Sequence, residues 1–184
     1  MLDAGKTAAA VQIAVDLANT LKPVKGEDAL ETVEQLRDFL DSRLLAEGRG
    51  PVTRADLDEV RALRESVRAV LERAGTDAAG AAALINDGLR GSDVSPVLRH
   101  DGEHWWIEAA SGSDRRSAHL AAITLGALAS VIATLGPARL GVCAGPHCRG
   151  TFVDLSRNGS KQFCTRACAH RASVSAYRSR RISN

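Results

Sequence analysis

The chain's four cysteines all lie in its last quarter, at Cys143, Cys148, Cys164 and Cys168, spaced C-x4-C-x15-C-x3-C. Two close thiol pairs on either side of a short polar loop supply the four soft donors of a tetrahedral zinc site. Four thiolates fill that shell and leave no position for water, so the expected cofactor is one structural Zn2+ rather than a hydrolytic centre. The same spacing is open to an iron–sulfur cluster or to plain buried thiols. His147 and His170 stand close enough to serve as substitute ligands, although an ordinary exposed or hydrogen-bonded imidazole is the blander reading of each. A closed metal site of this kind lets a segment too short for its own apolar core fold.

That segment is also where the positive charge collects. From Arg139 to Asn184 there are nine Lys or Arg and a single acid, Asp154, a net +8, whereas the preceding 138 residues hold fifteen basic and twenty-one acidic groups, a net −6. The overall +2 hides this asymmetry. A basic segment beside an acidic one points to a polyanionic partner, most naturally nucleic acid. A zinc tetrathiolate is itself an anion and accounts for some of these cations, but not for all of them.

The elements that must position this segment are mostly helices. Val11, Ala14, Val15 and Ala18 form one stripe, and Val33, Leu36, Leu40 and Leu44 form a second, opened by the capping box Thr32-x-x-Gln35. Gly48, Gly50 and Pro51 break the chain before a third helix, which Thr53 caps and whose face is Leu57, Val60, Leu63, Val67, Val70 and Leu71. An alanine-rich helix from about Asp77 to Leu89 follows, anchored by Leu84, Ile85 and Leu89. A β-hairpin lies between Val94 and Ala109, with Asp101-Gly102 in its turn. On its second strand Trp105 and Trp106 alternate, one inward and one outward. A long apolar helix from about Ser117 to Leu135 is stopped by Gly136-Pro137; its small and polar interruptions read as a core helix, and no transmembrane segment is expected. The N-terminus has an acid at position 3 and no basic stretch leading into an apolar one, so a cytoplasmic location is expected. In such a reducing compartment paired cysteines are metal ligands more often than disulfides.

After Pro137 the pattern changes. RLGVC and TFVDL have strand-like spacing with the turn CAGPHC between them, a second turn follows at Arg157–Ser160, and helical composition resumes after KQFC. The fold class expected is α+β: a predominantly helical body with a short β-hairpin over residues 1–138, then a small treble-clef-like finger over 139–184, built as knuckle, hairpin and helix. On a helix starting near Cys164, Cys168 lies one turn on and both sulfurs share a face, at an N-terminus that favours thiolates. Arg171 and Arg178 fall on the cysteine side and Arg166, Tyr177 and Arg180 on the opposite one. The nucleic-acid-binding set is therefore Arg157 and Lys161 from the second turn, with Arg166, Arg171, Tyr177, Arg178, Arg180 and Arg181 from the helix.

The stretch from Cys143 to Arg181 resembles the CGNR-type zinc fingers, through Cys143, Cys148, Phe152, Asp154, Ser156, Arg157, Asn158, Ser160, Cys164, Cys168 and Arg171. The body is similar to the ABATE-type domain that accompanies such fingers, through Asp16-Leu17-Ala18-Asn19-Thr20 at the end of its first helix. The resemblance implies a stress-induced transcriptional regulator of bacterial type that binds DNA. This chain departs from the pattern at Ala169-His170, where the family has Gly-Asn, and at Lys161-Gln162-Phe163, where it has Arg-Arg-Trp.

Asp16, Asn19 and Thr20 admit two readings: an effector pocket, or a helix end tied down by side-chain hydrogen bonds. No phosphate loop, H-E-x-x-H or G-x-S-x-G occurs and no cysteine is left over, so no enzyme is expected. The function expected is a zinc-binding, DNA-binding regulator whose body binds an effector, a protein partner or, as a homodimer, a second copy. The alternative is a zinc-stapled protein- or RNA-interaction module.

Overall fold

Side chains that satisfy the free N–H groups of a first turn set where the helices begin. The computed structural model describes residues 4–43, 45 and 50–182, and the side chains of 7–43, 45 and 50–176. The first helix, α1 (Ala4–Ala18), runs into a two-residue strand pair, β1 (Leu21–Lys22) and β2 (Glu27–Asp28). At the start of α2 (Val33–Asp41) the Gln35 N–H donates to Thr32 Oγ1 at 3.2 Å, while Gln35 Oε1 accepts from the Thr32 N–H at 3.0 Å. Thr53 and Asp56 form the same reciprocal box at the start of α3 (Arg54–Arg73), and Asp77 caps α4 (Ala78–Gly91) through the Gly80 N–H. Leu44 and Gly48 lie outside the described residues.

The hairpin β3 (Val94–His100) and β4 (Trp105–Ser111) leads into α5 (Arg116–Leu135), which is the centre of the body. Leu120, Leu125, Leu128 and Val131 of α5 are buried against Leu57, Val60, Val67 and Leu71 of α3 and Val11, Ala14 and Leu17 of α1. Truncating any of these buried leucines to Ala removes on the order of 3 kcal/mol. By length and composition α5 could cross a membrane, but half of its apolar window is buried in this core. Close approach is bought with glycine: a Cβ on Gly88 would stand 2.4 Å from Leu125, and one on Gly126 would stand 2.8 Å from Ala109.

A single turn of 3-10 helix, Pro137–Arg139, joins α5 to β5 (Leu140–Val142), which pairs antiparallel with β6 (Thr151–Val153), and α6 (Arg166–Ile182) closes the chain. Leu140 and Val153 are buried in the same apolar cluster as the helices. The finger thus shares the body's core through β5 and β6, which rest on α1 and α3.

Candidate metal centre and basic surface

The knuckle between β5 and β6 brings the first cysteine pair together. The Cys143 N–H donates to the Gly150 carbonyl at 2.8 Å and the Cys148 N–H to the Gly145 carbonyl at 3.1 Å, which curls the C-A-G-P-H-C turn around the sulfurs. His147 adopts a left-handed φ of 57° to complete it and is exposed, away from the ligand set. The second pair is placed differently from the sequence expectation. The helix begins at Arg166, so Cys164 lies just ahead of it; Thr165 is the cap, accepting from the Cys168 N–H at 3.2 Å, and Cys168 alone stands in the first turn. A knuckle thiol pair and a pair at a helix start make the treble-clef-like arrangement.

Four sulfurs converge as a result. Sulfurs each about 2.3 Å from a tetrahedral metal stand about 3.8 Å from one another. Here Cys148–Cys164 is 3.7 Å, Cys164–Cys168 3.6 Å and Cys148–Cys168 3.7 Å, and all four sulfurs lie within 4.8 Å. The walls leave no spare room: a Cβ on Gly150 would be 3.1 Å from Cys164 Sγ, and one on Gly145 would be 3.3 Å from Cys143 Sγ. Burial pushes Cys148 up, and burial together with the neighbouring thiols pushes Cys164 up. Cys168 falls to about 7, chiefly through its hydrogen bond with the Thr165 hydroxyl. Thiols so crowded cannot all ionise unaided, because like charges oppose each other. The Gly145 N–H reaches Cys143 Sγ at 3.4 Å, and Arg171 brings a guanidinium N–H to Cys168 Sγ at 3.0 Å. This donor set fits one structural Zn2+, held by Cys143, Cys148, Cys164 and Cys168.

The F-x-D-x-S-R-N-G run has a physical job in the same unit. The Phe152 ring covers Gly141 of the opposite strand, where a Cβ would be 3.1 Å from it, and Lys161 Nζ lies 5.5 Å from the ring centre. Asp154, 2% exposed, accepts from the Ser156 N–H at 2.9 Å and the Lys161 N–H at 2.8 Å. Burial opposes the charged form of Asp154, but the bonds from Ser156 and Lys161, with nearby Arg139, hold its carboxyl below the usual range. Arg139 donates to the carbonyls of Asp154 (3.4 Å) and Ser156 (2.5 Å), under the turn at Gly159.

Residues 139–181 match the CGNR zinc finger, and residues 12–135 match the ABATE model, described as "Putative stress-induced transcription regulator". The chain belongs to the ABATE family. Among curated proteins, none matches it.

The ABATE body grips the CGNR finger at the end of α1. Asn19, at the end of α1, pairs with the β6 backbone: its Oδ1 accepts from the Thr151 N–H at 2.8 Å and its Nδ2 donates to the Thr151 carbonyl at 2.9 Å. Thr20 donates to the Leu17 carbonyl at 2.7 Å, and Asp16 is bound by Gln12 at 2.7 Å and by Arg43 at 2.8 Å. Thus all three spend their polar groups inside the protein; the geometry is that of a tied-down helix end, and they do not line the recess described below. Two buried arginines of α3 add further ties, Arg68 to the finger and Arg64 within the body, and nothing in the apolar periodicity of that helix announces them. Arg68 reaches the carbonyls of Ala18 (3.3 Å), Leu21 (3.4 Å) and Arg149 (2.6 Å), so one guanidinium ties α1 to the knuckle. Arg64 pairs with Asp28 at 2.6 Å, and although burial opposes that carboxylate's charge, the bond keeps it ionised below its ordinary range.

The expected nucleic-acid residues divide accordingly. Arg157 and Arg166 are exposed and carry no ion pair among the described residues, as does Arg149, which the sequence reading passed over. Lys161 is exposed, with its Nζ on the Val153 carbonyl at 3.1 Å. Arg171 is committed to Cys168 Sγ. Tyr177, Arg178, Arg180 and Arg181 lie on α6, with side chains outside the described residues.

Proposed function

We propose that this ABATE protein is a DNA-binding transcription regulator of the stress response, acting in the cytoplasm, in which the CGNR finger contacts the duplex and the body receives an effector or a partner. One observation carries the reading. The finger's only acid, Asp154, is buried and used internally, so Arg149, Arg157, Lys161 and Arg166 present positive charge with no acid of the finger among them. Exposed guanidinium groups held at fixed spacing by a zinc-closed scaffold suit phosphate contact. The first turn of α6 adds its own N-terminal dipole, which also favours an anion. The chemistry asked of the chain is recognition rather than turnover, so it acts as a regulator and not as an enzyme. The arginines that serve the scaffold, Arg139 and Arg171, do not belong to this surface; losing them damages the finger itself.

The test is capture of nucleic acid bound to the intact protein in cells, set beside a Cys164→Ser variant that lacks one zinc ligand. Duplex DNA enriched on the wild-type chain and lost with Cys164→Ser is the expected result. Equal capture by both chains removes the finger from the mechanism. Enrichment of structured RNA or of an acidic protein in place of DNA supports the reading of a zinc-stapled interaction module instead.

A further inference from the structure

The hairpin carries an apolar face that the body covers only in part. Cross-strand pairing puts Val94, Pro96, Leu98 and His100 on the same side as Ser111, Ala109, Ile107 and Trp105. The base of this face lies on α5, where Ala109 meets Gly126. Its outer half projects into solvent: Leu98 is 63% exposed, Trp105 61% and Ile107 59%. His100, the one titratable group on it, stacks on Trp105 at 4.3 Å. Formal charge is confined to the opposite side, where Arg99 and Glu108 pair at 3.0 Å. Beneath the hairpin a recess of about 760 Å³ opens between α1, α4 and α5, with walls that include Ala10, Leu89, Val94, Ala122, Ile123 and Ala127. Ile107 belongs to both features, lining the recess and standing on the exposed arm.

We propose that the occupant of this recess is the hairpin arm of a second copy, so that two chains exchange arms about a two-fold axis. An exposed apolar projection beside an apolar recess on one chain is the self-complementary surface that a two-fold interface requires, each contact being made twice. The three exposed side chains present roughly 350 Å², within the range of patches that mark interaction sites. With the recess walls covered as well, each copy buries on the order of 600 Å², at the low end of specific interfaces. A small apolar ligand would fill the recess and leave Leu98 and Trp105 in water, whereas a second copy covers both. Nucleic acid has no cation to meet on this face. The edges agree: β3 contains Pro96, which has no N–H to offer, while β4 has no further strand beside it among the described residues and is open to pairing with its counterpart. The partner's arm therefore completes the recess of each chain. This deepens the reading of the body as the partner-binding half, and its test involves no DNA, so it fails or stands apart from the finger's role.

Sedimentation equilibrium of the zinc-loaded full chain tests it. The expected mass is twice the 19.4 kDa of one chain, with association in the micromolar range or tighter. Leu98→Asp with Ile107→Asp should weaken association by roughly 100-fold, since two charges would have to be buried, while helical content and zinc stoichiometry stay unchanged. Should that variant lose its zinc, Ala122→Phe offers an independent route, because it fills the recess without touching the arm and should also give single chains. In a Trp106→Phe background, emission from Trp105 should shift to the blue as concentration rises. A single-chain mass at every concentration up to roughly 100 µM overturns the proposal. So does a pair whose mass neither variant changes, or a single chain that releases an apolar small molecule on denaturation.

Discussion

Replacing Asn19 by Ala removes the donor and the acceptor that pair with the Thr151 backbone, and leaves two polar groups of β6 without partners. Two such bonds are worth about 2 kcal/mol. The variant should lose that much in denaturant unfolding, with faster hydrogen exchange at the Thr151 amide; unchanged stability and exchange would remove Asn19 from the docking role. At this scale the four ligands were readable in advance because thiol spacing is a local property that zinc chemistry constrains. The roles of Asn19, Arg64 and Arg68 were not. Each depends on a partner far along the chain, such as Thr151 or the Arg149 carbonyl, and amphipathic periodicity places a residue on a helix face without saying what will face it.

The helices, the hairpin and the two finger strands were readable as elements, because their caps and apolar spacings are local: Thr32 with Gln35 is one such cap, Thr53 with Asp56 another. Two short features escaped. The strands Leu21–Lys22 and Glu27–Asp28 are too brief for any alternation to register, and the start of α6 moved past Cys164 because Thr165 captures the Cys168 N–H as its cap. The turn from Asp154 to Lys161 shows how a motif works as a unit, and it has a pH signature. With its folded pKa held low, Asp154 contributes stability that is fully present above its unfolded value of about 3.9 and is lost as pH falls through the lower folded value. Asp154→Asn should therefore cost about 2 kcal/mol near neutrality, and the gap from wild type should close below about pH 4. Protonation of the cysteine ligands affects both chains alike, so the difference between their unfolding curves across pH isolates Asp154. A gap that persisted undiminished at low pH would contradict this role.

On the scale of the whole molecule, body and finger do not behave as beads on a string. Leu140 and Val153 lie in the body's apolar cluster, and Asn19 and Arg68 fasten the knuckle. The sequence shows the change of composition at Gly136-Pro137, but not that the strands beyond it return to the core, since apolar strand residues look the same whether they pack within a finger or against a neighbouring helix. Because the finger is fixed to the body, whatever pairs two bodies sets the spacing of two fingers. The central claim is that this fixed basic surface binds duplex DNA through its phosphates. Titration of a fluorescent duplex with the zinc-loaded chain at several salt concentrations tests it directly, alongside Arg157→Ala with Arg166→Ala. Affinity should fall steeply with salt, and the double variant should flatten the log–log slope by about 2 as two phosphate contacts are lost. Absence of binding at low salt, or a slope that the double variant leaves unchanged, would contradict the account.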